Sequence, residues 1–263
     1  MTSERRVLLY PNKAELAATL AERFIRKVNG FIKSRGEATI VLTGGTMGYA
    51  TLAAVNASKD RDSVDWSRVN LWWGDERWLP AGDAERNETQ ARDALLSHVA
   101  LDPARVHALP ASDSGIELDA AADVYTAELA AAAPSGAAYP RFDITFLGVG
   151  PDGHIASLFP ERSGVREVTR TVIPVRNSPK PPPERLSLTL PVINSSDRIW
   201  LVLAGADKAS ALGLTLADAS VNEVPAAGAH GVKSTLFFVD QDAAAEVPKN
   251  LTTPGLFWTG EDE

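Results

Sequence analysis

The sequence contains no cysteine among its 263 residues. This absence excludes disulfide bonds, thiolate-bound metals, iron–sulfur clusters and a cysteine nucleophile. Positive charge is also scarce, because 26 Lys and Arg stand against 34 Asp and Glu and the formal net charge is −8. Nucleic acids and anionic membranes attract positive charge, so the acidic balance argues against either as a partner.

Long apolar runs, internal repeats and low-complexity blocks are absent as well. No stretch approaches the roughly 18 consecutive apolar residues of a membrane-spanning helix. The content of 44% hydrophobic and 23% charged residues is that of a globular protein. We therefore expect a cytoplasmic protein with one α/β domain, made of a core over 7–240 and a C-terminal extension over 241–263. The acidic residues 261–263 are expected to form a solvated tail.

Strand-like and helical patterns alternate along the chain. A short strand over 7–10 precedes a helix that Asn12 caps, whose apolar residues recur every four positions from Leu16 to Ile32. Further strands are predicted at 39–42, 69–73, 142–149, 171–175, 186–190, 199–203 and 235–239, and further helices after 43–46 and at 87–99, 118–133 and 206–216. This alternation predicts an α/β fold with a mostly parallel, doubly wound, Rossmann-like sheet and helices on both faces.

The segment 148–153 matches the pattern Gly-x-Gly-x-x-Gly after a predicted strand. The pattern is typical of dinucleotide-binding folds. However, Pro151 and Asp152 stand where the backbone would approach a pyrophosphate, and the aspartate would repel it. No Asp or Glu ends the next candidate strand to hold a ribose, so the pattern favours dinucleotide binding only weakly.

Gly44 and Gly45 lie between a predicted strand and a predicted helix. With Thr46 they imitate a nucleophile elbow, although a threonine methyl crowds that strained turn. The better physical interpretation is an anion-binding turn, because two glycines expose backbone N–H groups at a helix N-terminus. A tight turn without a ligand is the alternative.

His154 is one of four histidines and follows a predicted buried strand, at the sheet edge where open α/β sheets bind ligands. It could take a proton from water, and Asp152 could orient its ring or bind substrate. A structural histidine that caps a turn is the alternative. Ser157 invites a Ser–His pairing, but a role in a helix start or in packing is more typical of its position. The other histidines lack partners at metal spacing, so no metal site is predicted.

The segment 72–78 carries three of the six tryptophans beside three charged residues. Such an aromatic wall could shape a pocket over a sugar ring, with Asp75 or Arg77 facing in. Packing of the tryptophans in the core is the alternative. Arg185 and Lys208 adjoin predicted strand ends, and each alone is typical of a solvated surface. An acidic protein that binds an anion must nevertheless concentrate positive charge locally.

Taken in order, these segments resemble the 6-phosphogluconolactonase family of the glucosamine/galactosamine-6-phosphate isomerase superfamily. The matching segments are 43–46, 73–77, 148–160, 182–189 and 205–208, within a resemblance that extends from 7 to about 239. The resemblance implies a carboxylic ester hydrolase that converts 6-phospho-D-glucono-1,5-lactone to 6-phosphogluconate, the second step of the oxidative pentose phosphate pathway, without a cofactor. It implies that the substrate is a small molecule, and we expect a monomer.

The resemblance also implies a role for each candidate residue. His154 would be the general base, and Asp152 and Arg77 would hold the lactone ring or stabilise charge near it. The remaining substrate-binding residues would be Gly44, Gly45, Thr46, Asp75, Arg185 and Lys208. In the usual family pattern Ser-Gly-Gly-Ser-Thr-Pro, this chain has Met47 and Gly48 after Thr46, so the phosphate turn departs from the pattern.

Two relatives of similar fold are alternatives. Glucosamine-6-phosphate deaminases share the run 152–156 but continue Phe-Asn-Glu-Pro, and Phe159 stands where they carry a catalytic glutamate. Since a phenyl ring cannot relay protons, this residue favours the lactonase. Sugar-phosphate-sensing domains of transcription regulators need a DNA-binding module, usually upstream. The first predicted strand at Val7 and the negative charge argue against one.

Overall fold

The computed structural model describes residues 4–257, so the acidic tail predicted at 261–263 lies outside the described residues. The strands of the described chain are β1 (Glu4–Tyr10), β2 (Ala38–Leu42), β3 (Val69–Trp73), β4 (Asp75–Arg77), β5 (Val106–His107), β6 (Ile144–Gly148), β7 (Val172–Val175), β8 (Arg185–Leu188), β9 (Arg198–Leu203), β10 (Ser234–Asp240) and β11 (Thr252–Pro254). The α-helices are α1 (Lys13–Arg35), α2 (Gly45–Ala57), α3 (Asn87–Ala94), α4 (Leu118–Ala131), α5 (Leu190–Asn194) and α6 (Ala209–Leu216).

Eight strands form one parallel sheet in the order β11-β1-β10-β9-β6-β2-β3-β5. Every residue of β2, β9 and β10 is buried. Strands buried at every position are covered on both faces, which explains why their sequences are nearly continuous apolar runs. The predicted α/β class with a mostly parallel sheet is confirmed.

The first helix shows how local sequence sets an element. The side chain of Asn12 accepts a hydrogen bond from the backbone N–H of Glu15 at 3.0 Å, which caps the N-terminus of α1. The apolar face that includes Leu16 and Phe24 is buried. Gly36 ends the helix with a φ of 87°, a left-handed conformation that glycine adopts without strain.

A second, three-stranded antiparallel sheet has the order β4-β8-β7. At Gly74 the chain leaves β3 and enters β4 directly, so β4 carries the segment 75–77 away from the central sheet. The register places Asp75 opposite Ser187 and Arg77 opposite Arg185. The small sheet therefore brings two distant parts of the sequence together beside the ends of the parallel strands.

The aromatic wall proposed for 72–78 is wrong for its first two tryptophans. Trp72 and Trp73 are 1% and 0% exposed and pack in the core, because β3 lies inside the sheet. The backbone N–H of Trp73 donates to the hydroxyl of Tyr125 at 3.0 Å. Within residues 4–257, no helix combines the length and the apolar character that crossing a membrane requires.

Candidate active site

A cavity of about 430 Å³ lies at the carboxyl ends of β2, β6 and β9. Its walls contain eight of the nine residues that the sequence analysis assigned to catalysis or substrate binding: Gly44, Gly45, Thr46, Asp75, Arg77, His154, Arg185 and Lys208. Asp152 is the ninth: it does not line the cavity, but its carboxylate contacts the ring of His154. The carboxyl edge of a parallel sheet is the usual ligand-binding edge of such folds.

The imidazole of His154 is held by Asp152. Nδ1 of His154 lies 2.6 Å from Oδ1 of Asp152, and the side chain of His154 is 17% exposed. A tight turn supports the pair, since the N–H of Gly150 donates to the carbonyl of His154 at 2.9 Å. Gly150 itself leaves the space that the pair needs, because a Cβ at this position would lie 1.9 Å from Nδ1.

The hydrogen bond fixes the chemistry of the imidazole. A carboxylate can only accept, so the neutral ring carries its proton on Nδ1 and its lone pair on Nε2. Burial raises the pKa of Asp152, but the hydrogen bond from His154 and the positive charges of His154 and Lys180 outweigh it. The pKa of Asp152 therefore lies well below its ordinary value, and the carboxylate is ionised at neutral pH.

Lys180 is a site residue that the sequence analysis missed. Its Nζ lies 3.3 Å from Oδ1 of Asp152 and 3.3 Å from Nδ1 of His154, and the side chain lines the cavity. The sequence places it in the proline-rich stretch 179–183, where a lysine has the pattern of an ordinary surface loop. Only the folded loop brings it to the Asp152–His154 pair.

Arg185 holds the proline-rich loop 179–183 through hydrogen bonds to its backbone. It is 6% exposed, and its guanidinium donates to the carbonyls of Lys180, Pro181 and Pro182 at 3.3, 2.9 and 3.2 Å. Burial lowers the pKa of Arg185, and the charge of Asp75 opposes this effect. Arg77 lies opposite Arg185 in the small sheet, and its guanidinium donates to the carbonyl of Glu85.

The cavity is positive although the protein is acidic. Its cationic side chains are Lys13, Arg77, Lys180, Arg185 and Lys208, and its carboxylates are Asp75 and Asp207. Nζ of Lys208 lies 3.0 Å from a carboxylate oxygen of Asp207. Lys13, the first residue of α1, is a second cation that no motif of the sequence indicated. The predicted local concentration of positive charge is thus present in the fold.

The turn at Gly44 leads into the N-terminus of α2 at one wall of the cavity. Gly44 is the N-cap residue of α2, and no side-chain hydrogen bond caps the helix. Glycine at position 44 leaves room for the side chain of Asn87, because a Cβ there would lie 1.8 Å from Oδ1 of Asn87 and the amide would have to move. Met47 is buried and α2 begins at Gly45, so the helix forms despite the departure from the family pattern.

Asp75 lines the cavity and is 6% exposed. Its Oδ2 accepts a hydrogen bond from the hydroxyl of Ser157 at 2.7 Å, and its backbone carbonyl accepts from Nδ2 of Asn87 at 2.8 Å. Ser157 starts no helix: it lies in a turn, and its hydroxyl bonds to a carboxylate. The expected helix start at Ser157 is therefore wrong, whereas its 2% exposure agrees with the expected packing role.

Phe159 packs directly against the site from below. It is 1% exposed, its ring centroid lies 4.7 Å from that of His154, and the guanidinium of Arg185 lies 5.6 Å from its centre. The position that carries a glutamate in the deaminases is thus an apolar ring in contact with the histidine. This contact limits the motion of the imidazole without offering it a proton.

A second cavity, of about 450 Å³, opens near the amino ends of β2, β3 and β6. Its charged side chains are already paired, as in the ion pairs Arg35–Asp143 and Arg141–Asp197. Within residues 4–257, no group of three or more His, Asp or Glu side chains could hold a metal ion. The first cavity, with its surplus of positive charge, is therefore the candidate active site.

Comparison with known proteins gives a consistent assignment. The model of the family described as glucosamine-6-phosphate isomerases/6-phosphogluconolactonase matches residues 11–238. The 6-phosphogluconolactonase of Streptomyces coelicolor is 51% identical over 258 residues, which cover 97% of this chain and 99% of that protein. The Mycobacterium tuberculosis enzyme of the same name is 46% identical over 242 residues, 91% of this chain and 97% of that protein.

The fold agrees with this assignment. The structure of 6-phosphogluconolactonase from Trypanosoma brucei matches with a TM-score of 0.82 at 23% identity, over 94% of this chain and 100% of that one. At that identity the likeness shows the fold alone. The family match and the curated relatives carry the conclusion: the chain belongs to the glucosamine-6-phosphate isomerase/6-phosphogluconolactonase family, among the 6-phosphogluconolactonases.

Proposed function

We propose that this protein hydrolyses 6-phospho-D-glucono-1,5-lactone to 6-phosphogluconate with His154 as the general base. The observation that carries the proposal is the imidazole of His154, held by Asp152, on the wall of a cavity rich in cations. A histidine whose Nδ1 is engaged by a carboxylate presents a basic Nε2 to water. The names of the relatives supply the substrate, and the charge of the cavity suits a phosphorylated sugar.

The reaction then follows in two proton transfers. Nε2 of His154 takes a proton from water as the oxygen attacks the lactone carbonyl carbon, and the carbonyl becomes a tetrahedral oxyanion. When the oxyanion collapses, the bond from the carbonyl carbon to the ring oxygen breaks, and the imidazolium returns its proton to that oxygen. Asp152 stabilises the imidazolium between these transfers, because its carboxylate is ionised beside Nδ1.

Anchoring the phosphate positions the reacting carbonyl. We assign the phosphate to the Gly44-Gly45-Thr46 turn at the N-terminus of α2, with Arg185 and Lys208. We assign the sugar ring to Asp75 and Arg77, which project from β4 into the same cavity. Binding energy from the remote phosphate then lowers the entropic cost of bringing the carbonyl to His154.

Contacts of Phe159 support the lactonase over the deaminase. Its phenyl ring packs against His154 and cannot exchange protons with a substrate. Lactone hydrolysis needs only one proton acceptor near the carbonyl, whereas aldose–ketose isomerisation needs further groups that move protons. We therefore expect no ammonia release from glucosamine 6-phosphate.

The test compares the wild type, His154→Ala and the control His98→Ala, in which an exposed histidine away from the cavity is removed. We expect His154→Ala to lose about 10²- to 10⁴-fold in kcat while its circular dichroism and Tm match the wild type. The control keeps its activity. Unchanged turnover in His154→Ala would overturn the assigned base.

Further measurements test the substrate, the need for a metal ion and the oligomeric state. Replacing the phosphorylated lactone with plain gluconolactone is expected to lower kcat/KM strongly, since the cations of the cavity lose their ligand. We expect EDTA to leave the rate unchanged and size-exclusion chromatography to give a monomer. Equal rates with the two lactones would contradict the phosphate assignment.

A further inference from the structure

We infer that Ser157 is a positioning residue, which holds the carboxylate of Asp75 so that one oxygen faces the sugar ring of the substrate. The inference rests on the proposed function and adds a residue to it. Ser157 does not line the cavity, so it acts on the substrate only through Asp75.

The contact between the two side chains is buried and short. The hydroxyl of Ser157 donates to Oδ2 of Asp75 at 2.7 Å, in a residue that is 2% exposed. A carboxylate only accepts, so the direction of this hydrogen bond is fixed. Hydrogen bonds to ionised groups are stronger than those between neutral groups, and water cannot replace this one at such burial.

The backbone of Ser157 is itself anchored. Its N–H donates to the hydroxyl of Ser187 at 3.2 Å, and that hydroxyl donates to the carbonyl of Leu188 at 3.0 Å. Ser187 lies opposite Asp75 in the register of the small sheet. Ser157 also follows His154 by three residues, so the turn that carries the proposed base is tied to the strand that carries Asp75.

The two oxygens of Asp75 are thereby made different. Oδ2 is engaged by Ser157, whereas Oδ1 has only a long contact of 3.4 Å from Nδ2 of Asn87. Oδ1 therefore keeps the capacity to accept a hydrogen bond from a hydroxyl of the sugar. A sugar hydroxyl is the class of donor that this free acceptor fits.

The neighbouring arginines explain why the carboxylate must be held. Arg77 lies two residues after Asp75 on β4, and Arg185 is close enough that the charge of Asp75 acts on its guanidinium. Without the hydroxyl of Ser157, the carboxylate would be drawn to a guanidinium. The site would then lose both an acceptor for the sugar and a cation for the phosphate.

The test uses the isosteric pair Ser157→Thr and Ser157→Val, which differ only by a hydroxyl in place of a methyl group. We expect Ser157→Thr to stay within about threefold of the wild type in KM for the phosphorylated lactone. For Ser157→Val we expect KM to rise about tenfold, the loss of one hydrogen bond to a charged group. The pH profile of kcat should be the same in both, because the Asp152–His154 pair is untouched.

A double-mutant cycle separates positioning from general destabilisation. If Ser157 acts through Asp75, Asp75→Ala and Asp75→Ala/Ser157→Val should have the same KM within about twofold. Ser196→Ala is the matched control, because Ser196 is 0% exposed and bonds to Thr145 outside the cavity. We expect its KM to equal that of the wild type.

The outcomes distinguish this inference from the proposed function. A wild type that does not hydrolyse the lactone refutes the proposed function. An active wild type with equal KM values for Ser157→Thr and Ser157→Val, or with additive effects in the cycle, overturns the role of Ser157 alone. Calorimetric binding of 6-phosphogluconate to the same variants gives a readout that does not depend on turnover.

Discussion

Gly150 has only a hydrogen atom where other residues carry a Cβ, and this leaves room for the Asp152–His154 pair. In Gly150→Ala the new Cβ would lie 1.9 Å from Nδ1 of His154 and 2.3 Å from Oδ1 of Asp152. The pair must move apart, so we expect kcat to fall by at least tenfold with little change in the fold. Gly30→Ala is the control, because nothing lies within 4 Å of that added Cβ in α1.

The control variant Gly30→Ala should change stability but not activity. Alanine is a better helix former than glycine, so Gly30→Ala is expected to raise the free energy of unfolding by about 0.5–1 kcal/mol at unchanged kcat. Chemical denaturation and steady-state kinetics measure both quantities. A Gly150→Ala enzyme as active as the wild type would show that the pair does not need its present position.

Asp152 makes the free energy of unfolding depend on pH in the acidic range. Its pKa in the folded protein lies below its ordinary value, because the hydrogen bond and charge of His154 and the charge of Lys180 outweigh the effect of burial. Its contribution to stability is therefore complete above about pH 4, and is lost as the pH falls from there toward the lower folded value. We expect the difference in unfolding free energy between the wild type and Asp152→Asn to be larger at pH 5 than at pH 3. A difference that grows toward pH 3 would contradict the sign.

Individual site residues could be predicted from the sequence where they follow a predicted strand of the parallel sheet. His154 and Lys208 could be placed because each follows a predicted strand of the parallel sheet, a position that implies the carboxyl edge. Arg185 instead begins β8 of the small antiparallel sheet, so this rule does not explain its place in the cavity. Lys180 could not be placed, since its approach to the Asp152–His154 pair depends on the path of a proline-rich loop. The hydrogen bond from Ser157 was also beyond pattern analysis, because it joins residues 82 positions apart.

A glutamate outside the helix satisfies the N-terminus of α3. Glu76 on β4 accepts from the N–H groups of Asn87 and Glu88 at 2.7 and 2.9 Å, and it is 1% exposed. The guanidinium of Arg86, also buried, lies 3.8 Å away. One carboxylate thus fixes the small sheet to the helix that carries Asn87.

Replacing the carboxylate of Glu76 should lower the free energy of unfolding. For Glu76→Gln we expect a loss of about 2 kcal/mol in the free energy of unfolding, because the amide nitrogen cannot accept from an N–H group as the carboxylate oxygen does. Burial raises the pKa of Glu76, so removing its charge offsets part of this loss. Glu88→Gln, which disturbs only the i,i+4 pair with Arg92, should cost less than about 1 kcal/mol. Urea unfolding of the two variants checks the contrast, and equal losses would contradict it.

The elements that could be predicted are those long enough to show a period. The pattern from Leu16 to Ile32 predicted α1, and continuous apolar runs predicted β9 and β10. The strands β4, β5 and β11 have three residues or fewer, too few to establish an alternation. The helix predicted over 87–99 ends at Ala94, because Leu95 adopts a non-helical backbone and a short 3₁₀ turn follows.

The whole molecule combines a net charge of −8 with a cationic cavity. An anionic substrate is repelled by the surface and attracted by the site, and salt screens both effects over about 10 Å at 0.1 M. Chloride also competes with the phosphate for the cations of the cavity, so we expect KM for the phosphorylated lactone to rise between 20 and 300 mM NaCl. KM for plain gluconolactone, measured in parallel, should stay constant. A salt-independent KM for both would count against the phosphate site.

The position of β1 in the sheet has a consequence for synthesis on the ribosome. β1 emerges before every other described strand, yet it lies between β10 and β11, and Glu4 is paired with Ser234. At about 5–20 residues per second, roughly 10–50 s pass before its partner strand exists. During this interval the apolar side chains of Val7, Leu8 and Tyr10 have no place in a sheet. The order of translation therefore makes the nascent N-terminal strand a segment for chaperones to shield, and closure of the sheet one of the last events of folding.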